Sequence, residues 1–137
     1  PWYSSYKYKK TGPTGTSEEY TILFRLAEQH LIRAEAYVHM NNLVAAQTDI
    51  NKIRLRAELP PTTAVTQEEL LEAVAKERRF ELFTEQGHRW FDLKRTGKAN
   101  EVMNAIAPNW ESTQVLLPIP ASELLLNSNL LPQNPGY

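Results

Sequence analysis

The chain reads as all-α, a set of short antiparallel helical hairpins followed by an irregular C-terminal wrap. Three observations predict this. Apolar residues recur at helical spacing along residues 23–38, 46–53 and 70–83. Thr16/Glu19 and Thr66/Glu69 have the spacing of capping boxes, which satisfy orphan backbone N–H groups at helix starts. Asn41-Asn42, Pro60-Pro61, Gly87 and Gly97 then supply stops at hairpin length.

Residues 1–17 are aromatic and then rich in Gly and Pro. Tyr6-Lys7-Tyr8-Lys9 alternates with strand period, and a loop follows. A first helix is expected from Ser17. Its stripe is Leu23, Ala27, Leu31, Ala34 and Val38, flanked by Phe24 and Tyr37. It should stop at Asn41, since Asn tolerates left-handed geometry. A second helix spans about Leu43–Ala57 and presents Ala46, Ile50 and Ile53; Pro60 ends it. The third runs from Thr66 through Leu70, Leu71, Val74, Phe80 and Phe83 to Gly87. A short fourth covers His88–Arg95, with Gly97 as its stop, and residues 101–107 add a turn or two. Val115–Pro120 reads as extended, Ser122 as the cap of a turn through Leu126, and Asn134-Pro135-Gly136-Tyr137 as turn chemistry.

The first hairpin carries a specific signal. Ala34, Tyr37, Leu43, Ala46, Ile50 and Ile53 follow at intervals of 3, 6, 3, 4 and 3. This is the interval pattern of the tetratricopeptide repeat, in which small residues let two helices approach. Arg33 departs from it, because the repeat prefers Leu there. The expected architecture is therefore one domain over 1–137, tetratricopeptide-like hairpins with an irregular C-terminal wrap. It resembles a portion of a longer protein, since two hairpins are fewer than the ~3 repeats that usually bury a continuous core.

Composition excludes several functions. With 15 basic and 16 acidic residues the net charge is −1, which gives no surplus for neutralising nucleic-acid phosphates. The cluster Lys7, Lys9, Lys10 is too small to change that. No Cys is present, so disulfides, thiolate metal sites and thiol nucleophiles are absent. No apolar run is long enough to span a bilayer. Glu77, Glu81 and Glu85 stand at i, i+4 and i+8 and raise a glycoside-hydrolase reading. The nearby Arg78, Arg79 and Arg89 favour ion pairing, with Asp92 or Glu35 as the expected carboxylates for Arg78 or Arg79. His88 and Asp92 could give two metal ligands but lack a third, so no metal and no cofactor are expected. Trp90 is expected to be buried between the third and fourth helices, near Phe80 or Phe83. Trp110, then Trp2 and Tyr3, are the candidates for stacking on a sugar ring.

Several segments together resemble the SusD/RagB family. Arg25-Leu26-Ala27-Glu28 with Leu31 to Tyr37 is similar to its "RxAExxLxxAEA" helix. Asn51-Lys52-Ile53-Arg54-Leu55-Arg56-Ala57 is similar to "NxIRxRAGL", with Glu58 where Gly is commoner. Glu77 to Leu82 and Gly87 to Arg95 resemble "ERRxELxxEGxRWxDLxR", in which Arg78, Arg79, Glu81, Arg89, Trp90 and Asp92 are motif positions and Gln86 precedes the Gly. Leu117-Pro118-Ile119-Pro120 with Glu123, and Gln133-Asn134-Pro135-Gly136-Tyr137, complete the set in family order.

The resemblance implies a surface lipoprotein of the outer membrane that takes part in polysaccharide utilisation. It would capture an oligosaccharide or polysaccharide for a SusC-like TonB-dependent transporter, without cofactor or bond chemistry. The lipid anchor and most ligand-lining inserts would lie in a missing N-terminal part. The competing readings are a tetratricopeptide-type peptide-binding scaffold and a glycoside hydrolase. Within the distinctive block, Phe80 should face inward while the guanidiniums pair with carboxylates of the next hairpin.

Overall fold

The computed structural model describes Lys7 and residues 22–137. Helices α1 (Leu26–His39), α2 (Leu43–Arg56), α3 (Gln67–Glu81), α4 (His88–Arg95), α5 (Ala99–Ile106) and α6 (Ala121–Leu126) follow in order, and no strand forms among the described residues. The fold is all-α, as the spacing predicts. The chain divides into two compact units between Arg89 and Trp90.

In the first unit, α1 and α2 form an antiparallel hairpin and α3 packs on both. Ala34, Val38, Ala46, Ile50, Leu70 and Val74 meet at its centre, all essentially inaccessible, with Tyr37 and Leu43 packed at the edge. The two alanines, one on each helix, let α1 and α2 approach closely. Leu31, Ala27 and Ile53 extend the core toward the start of α1.

The helix ends follow local chemistry. Asn41 takes φ 57°, and its N–H and that of Asn42 close back on Val38 and Tyr37. Glu58 does the same after α2 with φ 56°, bonding to Leu55 while Leu59 bonds to Arg54. This is the two-bond left-handed cap, so a Gly is commoner at such a position for a steric reason. Thr66 and Glu69 form the complete capping box of α3. The Val65 and Thr66 backbone N–H groups hold the Glu69 carboxyl below its ordinary pKa.

Four expectations need correction. The described backbone is non-helical over 22–25, and α1 starts at Leu26 rather than running from Ser17; the Thr16–Glu19 box lies outside the described residues. Arg25 is extended (φ −124°, ψ 140°) because its guanidinium is drawn to Glu81 and Glu85, and this leaves Leu23 and Phe24 exposed. α3 ends at Glu81, not Gly87. The buried face of α3 runs through Leu70, Val74, Glu77 and Arg78, so Phe80 lies about 100° off it and is exposed rather than inward; Phe83, beyond the helix, is exposed too. Ser122 lies inside α6, whose N-cap is Pro120, and caps nothing.

The second unit has little apolar interior; Leu93 and Ala99 are its buried apolar residues. Its ordering is polar. The Gln133 side-chain amide pairs with the backbone of Ile119, accepting from its N–H at 2.8 Å and donating to its carbonyl at 2.9 Å. Asn134 donates to the Leu117 carbonyl at 2.7 Å and the Tyr137 hydroxyl to that of Leu116 at 3.0 Å. The terminal Gln-Asn-Pro-Gly-Tyr segment therefore acts as a clasp on residues 116–119. Those residues lie mostly extended, although Val115 closes a 3-10 turn over Ser112–Val115.

Candidate functional site

Charged side chains in the first unit are knitted between helices. Glu77, Glu81 and Glu85 all turn onto cations. Glu77 accepts from Arg54 at 2.5 Å. Glu81 pairs with Arg25 at 2.9 Å and with Arg56. Glu85 takes Lys7 on one oxygen at 2.5 Å and Arg25 on the other at 3.0 Å. The stripe is thus an ion-pair ladder joining α3 and its following turn to α1 and α2. None of the three carboxylates is left as a paired acid and base facing an open cleft.

Arg78 is buried, with Nη2 3.8 Å from Glu28 Oε1, and His88 Nδ1 lies 3.6 Å from the same oxygen. One carboxylate facing Arg78 thus comes from the "RxAE" helix. Arg79 and Arg89 are exposed. Asp92 is partly buried and accepts from Arg95 Nε at 2.8 Å. Among the described residues no group of three or more His, Asp or Glu side chains is placed to hold a metal ion.

A second cluster centres on Asp49, buried in the hairpin. Arg33 forks onto it, Nε to Oδ2 at 2.6 Å and Nη2 to Oδ1 at 2.8 Å, and Lys52 and His30 approach Oδ1 at 3.1 and 3.2 Å. The Arg33 hydrogen bonds hold the Asp49 carboxyl well below the usual carboxylate range; burial opposes this and Lys52 adds to it. Arg33, the departure from the repeat pattern, is thereby explained: it pairs across the hairpin instead of packing in it. Every buried side-chain polar atom of the described residues has a hydrogen-bond partner.

The aromatic candidates fall elsewhere. Trp90 is half-buried, not core, and its aromatic neighbour is Trp110, edge-on with ring centroids 6.0 Å apart at 77°. The reason is positional: α4 turns Leu93 inward, and Trp90 takes the margin of that face. Lys94 lies 5.8 Å from the centre of the Trp90 ring. Trp110 is also half-buried and donates from Nε1 to Asn100 Oδ1 at 2.9 Å. Trp2 and Tyr3 lie outside the described residues.

Sequence reasoning singled out Glu77, Glu81, Glu85 and Arg78 but missed Arg54 as the partner of Glu77, Arg25 and Arg56 as those of Glu81, Lys7 and Arg25 as those of Glu85, Glu28 beside Arg78, and the separate Arg33–Asp49 pair. Arg25 and Glu28 stand in a quoted motif, which was the available signal. Lys7 had none beyond its charge.

A buried ladder built from these motif positions is a framework feature, so its family decides what it supports. The profile of the SusD family matches residues 2–137. The chain belongs to the SusD family. Among curated relatives, a SusD-like protein of Formosa agariphila is 38% identical over 133 residues, covering 85% of this chain and 26% of that protein. The starch-binding protein SusD of Bacteroides thetaiotaomicron is 36% identical over 126 residues, covering 84% of this chain and 21% of that one. A solved SusD-like protein from Bacteroides fragilis superposes with a TM-score of 0.70 at 28% identity, over 85% of this chain and 26% of the other. The chain therefore spans about a quarter of the length of the SusD relatives it matches. No helix among its described residues is long and apolar enough to cross a membrane.

Proposed function

We propose that this chain is the C-terminal framework of a glycan-binding SusD-like lipoprotein, held at the cell-surface side of the outer membrane by a lipid on a preceding segment. In this reading the longer protein captures oligosaccharide or polysaccharide and presents it to a SusC-like TonB-dependent transporter. The observation that carries the reading is the family match along residues 2–137, with a relative named for starch binding among the similar proteins. The segment contributes no bond chemistry, a reading supported by the three glutamates all being engaged with Arg or Lys. Trp110, Trp2 and Tyr3 are its proposed sugar contacts; of these, Trp110 keeps its indole N–H on Asn100 and would offer its ring face.

Two measurements test this. Calorimetry of the longer protein against an oligosaccharide panel should give binding that weakens in Trp110→Ala, and the isolated 137-residue chain should bind weakly or not at all. Co-purification should bring down a TonB-dependent transporter encoded beside it. Glycan turnover that disappears in Glu81→Gln while the fold persists would replace this reading with the hydrolase.

A further inference from the structure

α4 sets an aromatic ring and a cation on one face. Trp90 and Lys94 stand at i and i+4, so the two side chains lie one above the other. The Lys94 ammonium sits 5.8 Å from the centre of the Trp90 ring. The neighbouring cations are answered by carboxylates, Arg95 by Asp92 and Lys98 by Glu101. Lys94 is exposed and has no carboxylate or hydrogen-bond acceptor among the described residues. Its three N–H donors therefore face water.

Trp110 stands beside this pair and is fixed at three points. Its backbone N–H donates to the Ala107 carbonyl at 3.0 Å, its indole N–H donates to Asn100 Oδ1 at 2.9 Å, and its ring meets Trp90 edge-on. An indole nitrogen only donates, so Asn100 turns Oδ1 toward it and Nδ2 away. Asn100 is exposed, and no acceptor among the described residues takes that Nδ2. A ring held in place before binding loses little freedom when a ligand stacks on it. All four side chains belong to the second unit. Trp110 and Lys94 both lie against the same Trp90 ring, within the span of a short oligosaccharide.

We propose that Trp110, Asn100 and Lys94 form a subsite for an acidic sugar, with the pyranose on the Trp110 face, a hydroxyl on Asn100 Nδ2 and the anionic group on Lys94. The inference rests on the reading of Trp110 as a sugar contact and adds the class of glycan. A neutral sugar gains nothing from the Lys94 charge. A uronate carboxylate or a sulfate ester gains a charge-assisted bond from it. The shared chemistry is an oxyanion carried on a sugar ring.

Calorimetry of the longer protein at low salt compares each acidic oligosaccharide with its uncharged form. Oligogalacturonate is set against its methyl ester, and a κ-carrageenan oligosaccharide against its desulfated form, beside a neutral panel. One acidic form should bind roughly fivefold tighter than its uncharged form, the upper size of a partly exposed ion pair. Which of the two shows the preference separates carboxylate from sulfate. Lys94→Gln, at a side chain with no hydrogen bond to lose, should remove most of the preference, and Lys94→Arg should keep it. Salt at about 0.5 M should shrink it too, because an exposed charge is screened. Equal binding of charged and uncharged forms, binding of neutral glycans alone, or a preference that survives Lys94→Gln overturns the acidic subsite and leaves glycan capture standing. A longer protein that binds no member of the panel overturns both.

Discussion

The two units of this chain are held by different physics. The first buries Leu31, Ala34, Val38, Ala46, Ile50, Leu70 and Val74 almost completely and threads ion pairs between its helices. The second buries only Leu93 and Ala99 as apolar residues and relies on amides and hydroxyls that bond to backbone. A core of interlocking side chains loses stability with every methylene removed. A clasp made of directional bonds tolerates loss of apolar volume but not a change of shape at its contacts.

The largest expected effects therefore lie in the first unit. Ile50→Ala and Leu70→Ala, at sites with no accessible surface, should each cost about 3–4 kcal/mol in chemical denaturation. Trp90→Ala should cost less than either, because Trp90 is half-buried and keeps one edge contact with Trp110. A larger loss for Trp90→Ala would show that the second unit has a core this comparison denies it.

Next comes Asp49, the buried carboxylate between Arg33 and Lys52. Its folded pKa lies below the unfolded value, so its contribution is present above an unfolded pKa of about 3.9 and is lost as pH falls through the folded value. Thermal melts should show the wild type losing stability progressively once pH drops below about 4. Asp49→Asn should be less stable at neutral pH and flatter with acid, since the titrating group is gone. Parallel pH profiles for the two proteins would remove Asp49 from the account.

The second unit should break by shape. A Cβ on Gly136 would sit 2.5 Å from Thr113 Oγ1 and 2.8 Å from Thr113 Cβ, at a backbone φ of 93°. Gly136→Ala should cost about 1–3 kcal/mol, as overpacking does, and Thr113→Gly should relieve part of it. Gln133→Ala removes both bonds to Ile119 and should loosen residues 116–119 without touching the first unit, a difference that amide exchange resolves.

What could be read from sequence tracks the range of the interaction. The hairpin was legible in the intervals from Ala34 to Ile53, and the start of α3 in Thr66-Gln67-Glu68-Glu69, because these are set within a few turns of helix. The start of α1 was not, since Arg25 is held by Glu81 and Glu85, 56 and 60 residues away. Apolar character alone does not choose the face of Phe80: Glu77 and Arg78 occupy the buried stripe of α3 as charged residues and leave Phe80 outside it. Lys7 belonged to a basic cluster too small to signal anything until the α3 terminus was in view. The motif block showed which residues matter and left their partners to the fold.

The smallest expected effect compares one turn built in both units. After α2 and after α4 the chain closes with the same pair of backbone bonds, but Glu58 stands at the left-handed position in the first and Gly97 in the second, with φ of 56° and 70°. A left-handed conformation costs an L-residue roughly 1–2 kcal/mol through the clash of Cβ with the following carbonyl. Glycine avoids that clash but gives up more freedom on folding. The net for Glu58→Gly should be a gain of about 0.5–1 kcal/mol, at an exposed site where no packing is lost. Gly97→Ala should lose about as much: nothing lies within 4 Å of its added Cβ, so backbone strain is the whole effect. Asn41→Gly, at the third such turn, should change least, because Asn tolerates this region well. Melting all three variants against wild type checks the order. If Glu58→Gly is destabilising, the Glu58 side chain makes a contribution that outweighs its backbone strain, and the two turns are not equivalent after all.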